Sequence, residues 1–133
     1  MSADESSPID PHGFVEVVFR DVFQSAVEGS LRVIQSPPGR RPSAELMALH
    51  EWLGALSEPE QLMVQRAMSF AADSAVFGLL CLLDNVRPVT AGYRETLSLK
   101  VRSAEGEREL AAEGVELHEL FRSRVDEGRL PPP

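Results

Sequence analysis

Asp73 has the sequence surroundings that most suggest chemistry. It is the only charged residue between Ala67 and Leu83. A carboxylate among apolar side chains can serve as a general base. At 100° per residue, Arg66 and Phe77 fall on the same side of a helix as Asp73. The sequence therefore offers a candidate pocket or core-margin site made of Arg66, Asp73 and Phe77.

A base alone does not make a catalytic site. General acid–base and nucleophilic catalysis need a second group within hydrogen-bond reach, and no such group lies near Asp73 in the sequence. We therefore expect Asp73 to be structural, accepting hydrogen bonds at the edge of the core. The β-hairpin predicted below is expected to cover Phe77 and Leu80 on the next two turns, with a partner chain as the alternative cover. A small enzyme or ligand-binding protein, with Asp73 in a pocket beneath that hairpin, is the alternative.

Cysteine and histidine give no recognisable catalytic or metal-binding pattern. Cys81 lies in the apolar stretch "GLLCLLD", where a thiol is typically an inert core residue. The histidines, His12, His50 and His118, are far apart, and "HEWLG" lacks the second histidine of HExxH. CxxC, EF-hand, Walker A and GxGxxG motifs are missing from the sequence. We therefore predict no catalytic residues, no metal and no cofactor.

The segment 104–119 concentrates negative charge. Six acids stand against one base, Arg108, in a chain whose net charge is −8. Acidic surfaces accelerate encounter with basic partners, so we predict a partner-binding surface here. Solvated acids at a hairpin tip and a helix start would give the same pattern. The predicted partner-binding residues are Glu105, Glu107, Glu109, Glu113, Glu116 and Glu119.

Composition restricts the class of protein. The 133 residues suit one domain, which we place at 13–126 between tails at 1–12 and 127–133. An excess of 21 acids over 13 bases argues against binding to nucleic acid or to an anionic membrane. A single cysteine and an acidic start without an apolar region predict a cytoplasmic protein.

The sequence patterns in the first half of the chain predict helices. Asp10 is the predicted N-cap, with Pro11 at the first helical position, although β-branched residues leave a short strand at 14–19 as an alternative. "SPPGRRPS" then breaks the helix. Ser43 caps a helix with leucines on one side, and Ser57 with Glu60 forms a capping box for the next. These two helices are expected to form an antiparallel pair.

The second helix of the pair is expected to end near Leu83 and to belong to the core. Its apolar part, 67–83, is shorter than the roughly 20 residues of a membrane span and contains Asp73. Its second half is apolar all round, so we expect it to be covered all round.

The last third changes its periodicity. Apolar residues alternate in "ETLSLKVR", which predicts a strand, and "SAEGE" and "RELAA" predict a turn and an antiparallel partner strand. "VELHELFRSRV" predicts a short helix that ends at Gly128. The predicted fold is therefore α+β and mainly helical, an antiparallel helix pair with a C-terminal β-hairpin and short helix. An all-α bundle is the alternative.

The function predicted from these patterns is protein binding without catalysis. We expect a small acidic protein of the bacterial-cytosol type, with an inhibitor or immunity-like protein against a basic toxin or nuclease as one concrete form. Homodimerisation is a further alternative, through the apolar stripe around Leu46–Leu56 or Phe77–Leu80.

Overall fold

The computed structural model of the chain describes residues 7–111 and 114–128. These residues form a mainly helical α+β structure with one two-stranded antiparallel sheet, as predicted. The chain divides into two compact units. We call Arg20–Val76 the helical unit, and Met1–Phe19 with Phe77–Pro133 the hairpin unit.

The first helical stretch begins at a capped end. The Asp10 side chain accepts a hydrogen bond from the Gly13 backbone N–H at 2.7 Å, so the predicted N-cap is confirmed. Helix α1 spans Pro11–Val17, a π-helical segment spans Val18–Gln24, and α2 spans Ser25–Gln35. Residues 14–19 are therefore helical and form no strand.

Two further caps are formed as predicted. The Ser43 hydroxyl accepts from the Leu46 N–H at 3.1 Å at the start of α3, Ala44–Gly54. Helix α4, Glu58–Leu83, begins with a reciprocal capping box. In it, the Glu60 carboxylate accepts from the Ser57 N–H at 2.8 Å, and the Ser57 hydroxyl accepts from the Glu60 N–H at 3.3 Å.

Within the helical unit, α3 packs against α2. The imidazole Nδ1 of His50 on α3 lies 2.8 Å from the Ile34 carbonyl oxygen on α2, which ties the two helices together. Leu53 of α3 and Val27 of α2 are both buried. His50 is therefore a structural residue of this contact.

The predicted hairpin is present, with shifted ends. Strand β1 is Lys100–Ser103 and β2 is Gly106–Glu109, with Val101 opposite Arg108. The sequence placed the first strand at 95–102 and the second at 108–112, with Gly106 in the turn, so the predicted strand ends are wrong. Gly106 has φ +122, a conformation that favours glycine, and this lets β2 begin directly after a tight turn.

The short helix α5, Leu117–Glu127, packs against α1 in the hairpin unit. Its buried face contains Leu117, Phe121 and Val125. The Arg124 guanidinium connects the two helices, because its Nε lies 2.7 Å from the Glu16 carboxylate. Gly128 caps the C-terminus, as the sequence predicted.

The predicted domain limits remain predictions. Residues 1–6 and 129–133 of the two predicted tails lie outside the described residues. Within the described part, α1 already begins at Pro11 and α5 continues to Glu127.

Helix α4 is much less covered than the sequence suggested. Only 22% of its most apolar 18-residue stretch is buried, and by length and composition alone it could cross a membrane. In its second half Leu80 and Cys81 are buried, whereas Leu79 is 56% exposed. The expectation that this half is covered all round is therefore wrong, because its neighbours contact only part of its surface.

The capping box of α4 should contribute measurably to stability. Ser57→Ala removes a hydroxyl that satisfies a first-turn N–H, so we expect the free energy of unfolding to fall by about 1 kcal/mol. Urea unfolding followed by circular dichroism measures this. Ser123→Ala, at an exposed position within α5, is the control and should leave stability unchanged or slightly raised. Equal effects of the two substitutions would contradict the cap assignment.

Candidate functional site

A buried histidine joins the end of α4 to the start of α5. Asp84 directly follows the last residue of α4, and the His118 side chain in the first turn of α5 is 6% exposed. The Asp84 Oδ2 atom lies 2.6 Å from His118 Nδ1 and accepts the His118 backbone N–H at 2.8 Å. One carboxylate oxygen therefore fixes both the imidazole ring and the first turn of its helix.

The other ring nitrogen of His118 faces two more carboxylates. Its Nε2 lies 3.3 Å from Glu119 Oε1 and 3.5 Å from Glu116 Oε2. These two side chains are 69% and 51% exposed. We give the name His118 cluster to Asp84, Glu116, His118 and Glu119. The cluster extends from a buried carboxylate, through a buried imidazole, to two carboxylates that face solvent.

Aromatic and cationic groups form one wall of the His118 cluster. The Phe77 ring meets the His118 ring edge to face, with centroids 5.5 Å apart and planes at 79°. The Arg122 guanidinium lies 4.4 Å above the Phe77 ring. Helix α5 therefore contacts Phe77, where the sequence interpretation had expected the hairpin to do so.

Cys81, on the same stretch of chain, lies in surroundings that do not favour a nucleophilic thiol. Its side chain is buried, and burial raises the pKa of its thiol because the thiolate loses solvation. A protonated thiol is a poor nucleophile at neutral pH. This agrees with an inert core cysteine.

The predicted trio Arg66, Asp73 and Phe77 is divided between the two units. Arg66 and Asp73 belong to the helical unit, and Phe77 belongs to the hairpin unit. Asp73 is 5% exposed, while Arg66 faces solvent. A groove of about 240 Å³ in the helical unit includes neither of them. Its lining residues are Leu31, Gln35, Leu53, Glu58, Gln61, Leu62 and Gln65.

The predicted acidic surface separates into two parts. Glu105, Glu107 and Glu109 are exposed on the hairpin, where Glu107 pairs with the Arg102 guanidinium at 2.8 Å. Glu116 and Glu119 belong to the His118 cluster. Glu113 lies outside the described residues.

A second surface feature is a row of exposed, mostly apolar residues along α4 in the helical unit. Met63, Ala67, Phe70 and Ser74 follow one another at spacings of four, three and four residues, so they share one side of the helix. All four are exposed, with Phe70 at 72% and Met63 at 61%. We call these four residues the α4 face.

The sequence interpretation missed both the His118 cluster and the α4 face. Asp84 and His118 are 34 residues apart, so their contact has no local signature. One signal was available: at 100° per residue His118 lies on the same side of α5 as Phe121 and Val125. A polar residue on an apolar face needs a buried partner.

Comparison of the chain with protein families, with characterised proteins and with solved structures gives no match.

Removing the Asp84 carboxylate should destabilise the hairpin unit. Asp84→Ala leaves His118 Nδ1 and the His118 backbone N–H without their acceptor in a buried place. We expect the free energy of unfolding to fall by about 2–3 kcal/mol. Chemical denaturation at pH 7 measures the change. Asp21→Ala, which removes an exposed ion pair with Arg20, is the matched control and should change stability little. A small effect at Asp84 would contradict the buried pair.

Proposed function

We propose that the chain is a non-catalytic protein-binding protein that forms a homodimer through the α4 face. The observation that carries this proposal is the exposure of Phe70 and Met63 on one line of a long apolar helix. Burying a large apolar side chain stabilises a complex by roughly 1.5–3 kcal/mol relative to leaving it in water. A partner surface that covers this line would gain that stabilisation.

The order of side chains along the α4 face favours a second copy as the partner. Large and small residues alternate: Met63, Ala67, Phe70, Ser74. In an antiparallel pair with its two-fold axis between 67 and 70, Phe70 lies opposite Ala67 of the second copy. Met63 then lies opposite Ser74 of the second copy. Each large side chain meets a small one, so the same surface complements itself, as a two-fold interface requires.

Charge does not oppose this pairing. Arg66 flanks the α4 face and would lie opposite Ala71 of the second copy, so no like charges meet. The two stripes named from the sequence are less suited to a dimer. Leu80 is 2% exposed and Leu53 is 4% exposed, because both pack inside their own units.

A lipid bilayer is the competing cover for α4, since the helix is long and apolar enough. Arg66 and Asp73 both lie within the helix, away from its ends. Each charged side chain near the centre of a membrane helix opposes insertion by about 2.5–3.5 kcal/mol. A protein surface is therefore the better match to this helix.

A charge placed on the α4 face should dissociate the dimer. With Phe70→Asp, pairing would bury a carboxylate against Ala67 of the second copy, so we expect a monomer with unchanged helix content. Size-exclusion chromatography with light scattering, together with circular dichroism, measures both properties. Val33→Asp alters an exposed apolar residue on α2 and is the control, which should remain dimeric. A Phe70→Asp protein as dimeric as wild type would overturn the proposed interface.

A second candidate function keeps the acidic surface as a docking site for a basic protein. This would make the chain a cytoplasmic inhibitor or immunity-like protein. It is supported by the exposure of Glu105, Glu107 and Glu109 on a hairpin that presents most of both its strands to solvent. Acids so exposed are available to steer a cationic protein into contact.

Charge reversal tests that second candidate. Converting Glu105, Glu107 and Glu109 to lysine should slow association with a co-purified basic protein by at least about tenfold at low salt. Stopped-flow or surface-plasmon measurements at two salt concentrations give the rates. Lysine at Glu28, Glu45 and Glu51 changes the net charge equally at exposed helix positions and is the control. Equal slowing by both variants would show that only total charge matters.

A further inference from the structure

We propose that the His118 cluster binds a divalent transition-metal ion of the zinc class. The ligands are Nε2 of His118 and one carboxylate oxygen each from Glu116 and Glu119. Asp84 is a positioning residue, which orients the imidazole from its other side. The homodimer proposed above does not depend on this site.

The distances around Nε2 fit a metal better than hydrogen bonds. Charge-assisted hydrogen bonds from nitrogen to a carboxylate oxygen measure about 2.7–2.9 Å. The Glu119 and Glu116 oxygens instead lie 3.3 and 3.5 Å from His118 Nε2. A tetrahedral zinc ion with bonds of about 2.0–2.1 Å separates its ligand atoms by about 3.3–3.4 Å. The three ligand atoms are also within 4.8 Å of one another, so small side-chain rotations complete the set.

Asp84 prepares the imidazole for metal binding. Its Oδ2 atom, 2.6 Å from Nδ1, accepts a hydrogen bond from Nδ1–H, so the neutral ring has its lone pair on Nε2. Two carboxylates, which are also acceptors, lie 3.3 and 3.5 Å from Nε2, and the side chain is 6% exposed. A cation between them satisfies all three groups. A carboxylate behind a metal-binding histidine is a recurrent arrangement of metal sites.

Charge and access also favour a cation. Asp84, Glu116 and Glu119 supply three carboxylates around one imidazole. The Arg122 guanidinium over the Phe77 ring and the positive end of the α5 dipole, equivalent to about half a charge, oppose a cation, but the three carboxylates outnumber them. Glu116 and Glu119 are more than half exposed, so an ion can enter from solvent and a water molecule can take the fourth position.

The mixed donor set selects the class of ion. An imidazole nitrogen suits zinc and its neighbours in the transition series, whereas magnesium and calcium prefer oxygen ligands throughout. One nitrogen and two carboxylate oxygens therefore point to zinc, with cobalt(II) as a spectroscopic substitute.

Isothermal titration calorimetry of the full chain with zinc chloride at pH 7 tests the proposal. We expect one ion per chain, and a tetrahedral absorption spectrum with cobalt(II). Glu119→Gln, whose side chain is 69% exposed and should fold normally, is expected to weaken binding by more than about tenfold. Asp84→Asn should weaken it about 10–100-fold while leaving all three ligands in place. Glu105→Gln, at an exposed hairpin position, is the control and should bind like wild type.

Two outcomes would overturn the metal site. The first is an absence of zinc binding to the folded wild-type chain at pH 7. The second is binding that Glu119→Gln leaves unchanged, which would place the ion elsewhere on this acidic protein.

Discussion

The exposed apolar surface of α4 is the constraint on which the functional account depends. A helix that is apolar on most sides must be covered on most sides, or it leaves hydrophobic area in water. The rest of the chain buries only 22% of the most apolar 18-residue stretch of α4. The Phe70 side chain, which is 72% exposed, shows how much apolar surface remains in contact with water. The fold of one chain thus leaves uncovered a surface that association would bury.

The hairpin unit is organised by a polar contact. The Asp84 carboxylate at the end of α4 holds both the ring and the backbone of His118. Around this link, the Phe77 ring meets the imidazole edge to face and Arg122 lies over the Phe77 ring, while Glu116 and Glu119 flank Nε2. The same hydrogen bonds that fix the start of α5 therefore also aim Nε2 at two carboxylates. Asp84 can both stabilise the start of α5 and orient the imidazole, because it contacts Nδ1 while the proposed metal binds Nε2 on the opposite side of the ring.

Local features of the fold were predictable because local chemistry determines them. The caps at Asp10, Ser43 and Ser57 satisfy N–H groups within three residues of each cap, so spacing alone reveals them. The alternating residues before the turn likewise predicted a hairpin, although its second strand begins at Gly106, earlier than predicted. The mainly helical α+β class follows from these signals.

Features that depend on distant contacts were not predictable in the same way. The sequence shows that α4 is apolar but does not show which of its sides the rest of the chain reaches. It also gives no indication that α5 rather than the hairpin contacts Phe77, or that Asp84 meets His118. Both candidate sites arise from such long-range geometry, whereas the acidic segment was evident from composition alone.

Sedimentation equilibrium of the unmodified chain tests the central claim most directly. A homodimer built on the α4 face predicts a particle of twice the 14.6 kDa chain mass, dissociating reversibly on dilution through the micromolar range. A particle of 14.6 kDa at every concentration, in the absence of detergent, would contradict it.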